Sequence, residues 1–168
     1  MKMKQFHVAI AAEAFAAGLF AQAGCDVLVQ YGANQPHYDL MVTRDRRSIM
    51  VSVKGSQDGG WGLIQGYKKK GVDYCEAIDN WAAAHSHSIM FCFVQFSGVP
   101  LAQCPRLYLA LVPEVATHLK KMRNGKGDTI LWKHHTYARG IGANTTNEIP
   151  AQWKFSLERI NILFCDNT

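Results

Sequence analysis

The stretch from Tyr38 to Gln57, YDLMVTRDRRSIMVSVKGSQ, decides the fold. It contains two runs of strand-forming residues, Tyr38–Val42 and Ser48–Lys54, with the charged turn Thr43–Arg47 between them and Gly55 as a stop. β-Branched residues broken by a polar connector predict a hairpin. Side chains alternate across a strand, so Ile49, Val51 and Val53 share an apolar face, and Met50, Ser52 and Lys54 share the other. Asp39, at the start of the partner strand, lies opposite the Lys54 end of the hairpin. A carboxylate and an ammonium placed together at one end of a sheet point to a functional site.

Upstream, Phe6 to Ala23 reads as a helix ending near Gly24. Ile10, Glu13, Ala17 and Phe20 follow helical steps and are expected on one face. Glu13 is the only charged residue from Gln5 through Cys25. A carboxylate on an apolar face is costly unless it is paired, hydrogen-bonded or bound to a cation. A Glu reaching solvent at the helix edge is the plain alternative, and the Asp39/Lys54 pair weighs against it. Lys2 and Lys4 ahead of an Ala-rich run imitate a signal peptide, but Glu13 interrupts that run, and Gln5 and His7 dilute its start. With no run of eighteen uncharged apolar residues, a membrane span is not expected.

Asp39 followed by Ser52-Val53-Lys54, with Glu13 on the preceding helix, resembles the PD-(D/E)xK superfamily, the restriction-endonuclease-like nucleases. In that superfamily an Asp opens one strand and an acid-x-Lys triplet closes the next. Many members, among them Holliday-junction resolvases and some homing endonucleases, add a helical Glu. The order of helix with Glu, strand with Asp, strand with SxK, helix and strand covers about the first hundred residues. The later segments AIDNWAAAH, MFCFVQF, PRLYLALVPEVATHLK and IPAQWKFSLERI resemble a bacterial branch of the same superfamily. The pattern departs at Ser52, where the family carries its second acid.

The resemblance implies an α/β fold with a restriction-endonuclease-like mixed central sheet flanked by helices, built on an α-β-β-β-α-β core. It also implies a metal-dependent endonuclease that hydrolyses DNA phosphodiesters. Oxygen ligands suit Mg²⁺, with Mn²⁺ as a substitute. Asp39 would hold the metal directly, the Val53 carbonyl would supply another oxygen, and Glu13 would restore a second carboxylate. Ser52 would offer a hydroxyl through water. Lys54 would act electrostatically on the phosphate or the attacking water, because nearby carboxylates keep its ammonium charged. Two other readings stand beside the nuclease: a DNA-binding domain whose centre has decayed at Ser52, and an interaction module that keeps the fold only.

The chain has 168 residues, 48% hydrophobic and 18% charged, with a net charge of +5. That composition argues against disorder and fits one domain over residues 1–168. The positive charge suits an anionic partner, here DNA, without establishing one. Five cysteines without CxxC spacing indicate neither a disulfide framework nor zinc, and fit a reducing, cytoplasmic setting. A homodimer is the remaining expectation for partners.

Asp26–Tyr31 reads as a strand and Gly32–His37 as the loop into Asp39. Gly55–Gly62 reads as a glycine-rich loop without P-loop spacing. Lys68, Lys69 and Lys70 follow it and are read as phosphate contacts, against the plainer reading of a solvated loop. Asp73–His85 reads as a helix, Ile89–Phe96 and Arg106–Val112 as strands, and Pro113 as the start of another helix. A last helix is expected around Ser156–Ile160. The pairs His85/His87 and His134/His135 do not complete a zinc ligand set.

Overall fold

The hairpin forms in the expected phase, but with a tighter turn and shifted strand ends. In a computed structural model, which describes residues 2–30, 38–85 and 88–166, β2 spans Leu40–Arg44 and β3 spans Arg47–Ser56. Their register pairs Leu40 with Val51 and Arg44 with Arg47. The turn is therefore Asp45-Arg46 alone, with φ of 50° and 66°. Positive φ at both central residues gives the backbone twist that matches paired strands, and Asp tolerates it better than most residues. Asp39 falls just outside β2 rather than inside the strand.

The remaining elements, in order, are α1 Gln5–Gln22 and β1 Asp26–Val29 before the hairpin, then β4 Gly60–Gly62, α2 Tyr74–Ala83, β5 Met90–Gln95, β6 Arg106–Leu111 and α3 Val112–Gly125. The chain continues with β7 Ile130–Trp132, β8 His134–Thr136, β9 Thr146–Glu148, a 3₁₀ turn at Ala151–Trp153 and α4 Leu157–Asp166. The central sheet runs β1-β2-β3-β5-β6. Only β3 and β5 are parallel; the other neighbours are antiparallel. A parallel pair needs a long crossover, and here it carries β4 and α2. The protein is thus a mixed α/β fold with a five-stranded mixed sheet and four α-helices among the described residues.

Strand alternation divides the core into two layers. Val51, Val53, Met90, Cys92 and Leu109 face α1 and α4, where Ala12, Ala16, Phe20, Ile160 and Leu163 meet them. Phe91, Phe93, Tyr108 and Ala110 face α2 and α3, against Ile78, Trp81, Val115 and Leu119. The expected parity of Ile49, Val51 and Val53 holds, since all three are buried on the α1 face.

The rotation of α1 differs from the expected one. Its buried stripe is Val8, Ala12, Ala16 and Phe20, while Ile10 is 60% exposed. The small Ala side chains let α1 lie close against β3, and the closest point is Gly55. A Cβ there would sit 2.8 Å from Val8 Cγ1, 2.9 Å from the Val8 carbonyl oxygen and 3.0 Å from Ala12 Cβ.

Three further departures have local causes. The segment after Lys54 is not all loop: β3 continues to Ser56, and β4 pairs antiparallel with β7. The glycine- and asparagine-rich stretch Gly140–Asn147, a polar loop by its composition, runs into β9, which pairs with β8. The last helix extends from Leu157 to Asp166, well beyond Ile160. The expected strand end at Tyr31 and the loop Gly32–His37 lie outside the described residues, as does His87. No helix among the described residues is long and apolar enough to cross a membrane.

The free edge of β6 is covered by the chain that leads into α4. Phe155 N donates to Leu107 O at 2.9 Å, and Arg159 Nε donates to Leu109 O at 3.1 Å. The buried Arg159 also pairs with Glu114 of α3 at 2.5 Å, tying the two helical layers together around that edge.

Gly55→Ala is expected to lower stability by about 1–3 kcal/mol, the usual cost of overpacking. Gly18→Ala is the contrasting variant, because nothing lies within 4 Å of a Cβ at that helical position. It should raise stability by about 0.5–1 kcal/mol. Denaturant unfolding of both variants checks the pair; equal behaviour would mean that the α1–β3 approach carries no constraint.

Candidate active site

The site begins where β2 and β3 part. β3 runs on to Ser56 and stays paired with β5, but β2 starts only at Leu40, opposite Val51. Asp39 holds the junction through its main chain: its N–H donates to Val51 O at 2.8 Å and its carbonyl accepts from Gln30 N at 3.0 Å. Its side chain then occupies the next ladder position. Asp39 Oδ2 accepts from Val53 N at 2.6 Å and from Ser52 Oγ at 3.4 Å. A carboxylate receiving a backbone N–H is a charge-assisted bond, stronger than a neutral one. Both bonds use Oδ2, so Oδ1 has no hydrogen-bond partner among the described residues.

Beyond this split an open cleft of about 640 Å³ lies between α1 and the end of β3. Glu13, Asp39, Val53 and Lys54 all line it. Glu13 comes from the flank of α1 next to the buried stripe, and is partly buried. Burial pushes its carboxyl above the ordinary value of 4.5, the Asp39 carboxylate pushes it further, and the Lys54 ammonium acts in the opposite direction. Asp39 and Lys54 are therefore close enough to act on the charge of Glu13. Lys54 is exposed, while its main chain is pinned by Trp61 Nε1, which donates to the Lys54 carbonyl at 2.8 Å.

Ser52 is 6% exposed and gives its hydroxyl to Asp39. It acts here as a support for the carboxylate. Lys68, Lys69 and Lys70 are not among the residues lining the cleft. Lys68 lies over the Tyr74 ring, 5.1 Å from its centroid, and Lys69 and Lys70 are exposed on the approach to α2.

Several cleft residues carry no obvious sequence signal. Gln57 grips the main chain of Met3 from both sides: Met3 N donates to its Oε1 at 2.9 Å and its Nε2 donates to Met3 O at 2.8 Å. That clamp holds the N-terminal segment against the cleft, where Lys2 adds a second ammonium. Asp58 also lines the cleft, with Oδ1 accepting from Ser56 Oγ at 2.9 Å and from Gly60 N at 3.4 Å. The Asp58-Gly59-Gly60 run is the one cue that a side chain–backbone turn stands at this point.

Among the described residues, no group of three or more His, Cys, Asp or Glu is arranged to hold a metal ion. His85 Nδ1 instead donates to the Trp81 carbonyl at 2.7 Å, and His135 stacks on Trp132. The cleft offers Glu13, the open Oδ1 of Asp39 and a backbone carbonyl. An oxygen-only set with two carboxylates suits a hydrated Mg²⁺, which binds through one or two carboxylates and keeps its waters. It does not suit a closed zinc site.

Glu13 should titrate above an ordinary glutamate. Asp39→Asn should bring it down and Lys54→Met should push it higher, as read by ¹³C NMR of the side-chain carboxyl. The folded state holds this proton more tightly than the unfolded chain, so stability falls as pH rises from about 4.5 through the raised folded value. Glu13→Gln should therefore exceed wild type in stability above that window and match it below. Parallel stability–pH curves for the two proteins would refute the assignment. Comparisons with protein-family models, curated proteins and solved structures find no match to this chain.

Proposed function

We propose that the protein is a restriction-endonuclease-like, metal-dependent nuclease of PD-(D/E)xK type that hydrolyses DNA phosphodiesters. The observation that carries the reading is the meeting of Glu13, Asp39 and Lys54 around one open cleft at the point where β2 and β3 part. Two carboxylates and one ammonium at the end of a split sheet are suited to binding a cation and a phosphate side by side. Asp39 and Glu13, with the Val53 carbonyl, would hold Mg²⁺ or Mn²⁺. When bound, such an ion supplies Lewis-acid polarisation and a more acidic water.

The chain's own groups do the rest. The Val53 N–H and the Ser52 hydroxyl fix Asp39 in one orientation before any ligand arrives. Lys54, pinned through its carbonyl by Trp61, presents an ammonium to the phosphate oxygens. Glu13, from the flank of α1, adds the second negative charge that faces the cleft. Water adds to phosphorus as the P–O bond to the leaving sugar oxygen breaks, the attacking water giving a proton to solvent and the leaving oxygen taking one up, and preorganised charge of this kind is a main source of rate in phosphoryl chemistry. A second reading, DNA binding without cleavage, is favoured by one observation: Ser52 is buried and already committed to Asp39.

Calorimetric titration with Mn²⁺ and a plasmid-nicking assay test the proposal together. Asp39→Ala should abolish both metal binding and cleavage. Lys54→Ala should keep metal binding and lose cleavage on the order of 10²-fold or more. Wild-type protein that binds DNA and Mn²⁺ but does not nick would leave the binding reading. Protein that binds neither would leave only a fold used for interaction. If Lys68, Lys69 and Lys70 touch phosphates, their triple Ala variant should flatten the log–log salt dependence of DNA binding by about 0.9 unit per lysine. An unchanged slope would make that stretch a solvated loop.

A further inference from the structure

A second concave surface lies behind the wall of the cleft. Two adjoining cavities, of about 510 Å³ and about 500 Å³, share Tyr108, Lys133 and Lys154 and make one groove. Arg106 and Phe155 border one end, and Glu148 and Pro150 the other. Neither Lys133 nor Lys154 forms an ion pair among the described residues. Arg106 donates from Nη2 to the Ser97 carbonyl, and its buried Nε has no hydrogen-bond partner among the described residues. The groove therefore carries three cations against the single acid Glu148.

The groove and the cleft share a wall. Trp61 lines the cleft, and its ring meets Tyr108 of the groove at a centroid separation of 6.3 Å, nearly edge-on. The link on the main chain is as short: Lys133 N donates to Gly59 O at 2.9 Å, one residue before Gly60 of the cleft.

We propose that this groove is a track for the phosphodiester backbone of the DNA strand leaving the cleft, with Lys133 and Lys154 contacting its phosphates. The inference rests on the nuclease reading and adds to it a binding site. Unpaired lysines suit phosphates, whose neutralisation releases counterions and drives binding. The partly buried Phe155 ring beside them offers apolar surface to a sugar or base, while Tyr108, 8% exposed, forms the floor between them. Glu148 opposes the strand at the groove's rim and gives the site a sign test in the other direction.

The test is fluorescence anisotropy of the full chain with a labelled DNA duplex in Ca²⁺. Wild type, Lys133→Ala/Lys154→Ala, Glu148→Gln and Asp39→Ala are compared, with thermal melts to check folding. The double variant should bind on the order of tenfold more weakly, with a salt slope shallower by about 1.8 units. Glu148→Gln should bind more tightly than wild type. Lys133→Gln/Lys154→Gln, which keeps most of both stems, replaces the Ala pair if that pair fails to fold, and carries the same expectation. DNA binding that is unchanged in the lysine variants overturns the groove and leaves the nuclease reading standing. The same holds if the lysines govern binding of poly-glutamate but not of DNA, which would mark a site for an acidic protein. Wild type that binds no DNA overturns both readings at once.

Discussion

The close approach of α1 to β3 at Gly55 is the constraint on which the site depends. Glu13 lies on α1 and Lys54 on β3, so the distance between these elements sets whether the two groups can share a cleft. Ala12 and Ala16 remove bulk from the helix side, and Gly55 removes it from the strand side. With Val8 atoms under 3 Å from a notional Cβ, a larger residue at 55 would have to move backbone, not merely a side chain. Interiors pack at crystal-like density, so such a shift would spread along the helix. The Gln57–Met3 clamp fixes the same end of α1 from above, leaving the N-terminal turn little freedom to tilt away.

The second element of the design is the opening between β2 and β3. A β-ladder normally satisfies each N–H with a neighbouring carbonyl, and a buried N–H left alone is costly. Where β2 stops, the N–H of Val53 takes Asp39 Oδ2 in place of a carbonyl. One oxygen of the carboxylate thereby satisfies the strand, while the other has no hydrogen-bond partner among the described residues. The cleft exists because the sheet is split here, and the split is stable because Asp39 fills the vacated position.

Much of this was readable from residue order. Ile49, Val51 and Val53 alternate with Met50, Ser52 and Lys54, and a strand whose purely aliphatic face must meet a core admits only one phase. Glu13 stood out because no other charge accompanies it between Gln5 and Cys25. The rotation of α1 was harder to read. A helix made largely of Ala offers little contrast between faces, so Ile10 looked as good a core residue as Val8. The start of β2 was misplaced because Asp39 trades a side-chain bond for a ladder bond, and such local competition leaves no periodic trace. The strand β4 was hidden for another reason. Its partner β7 lies about seventy residues on, and its glycines, normally loop signals, are needed for close packing. A Cβ on Gly60 would lie 2.8 Å from the Trp132 ring. The basic groove escaped notice because Arg106, Lys133 and Lys154 meet only in the folded chain.

Ser52 shows how one residue type redistributes charge at such a site. A carboxylate at position 52, on a side chain only 6% exposed, would stand beside Asp39 and compete with it for the same charge environment. Like charges in one site raise each other's proton affinity, as Asp39 already does to Glu13. A third carboxylate would deepen that effect unless a cation were always present. The hydroxyl instead donates to Asp39 Oδ2 and helps to hold its rotamer. A serine at position 52 thus brings no third negative charge to the cleft and steadies the Asp39 carboxylate. A cation there would depend on Asp39 and Glu13 for its negative charge, and the position of Glu13 is set in turn by the packing of Val8 and Ala12 on Gly55.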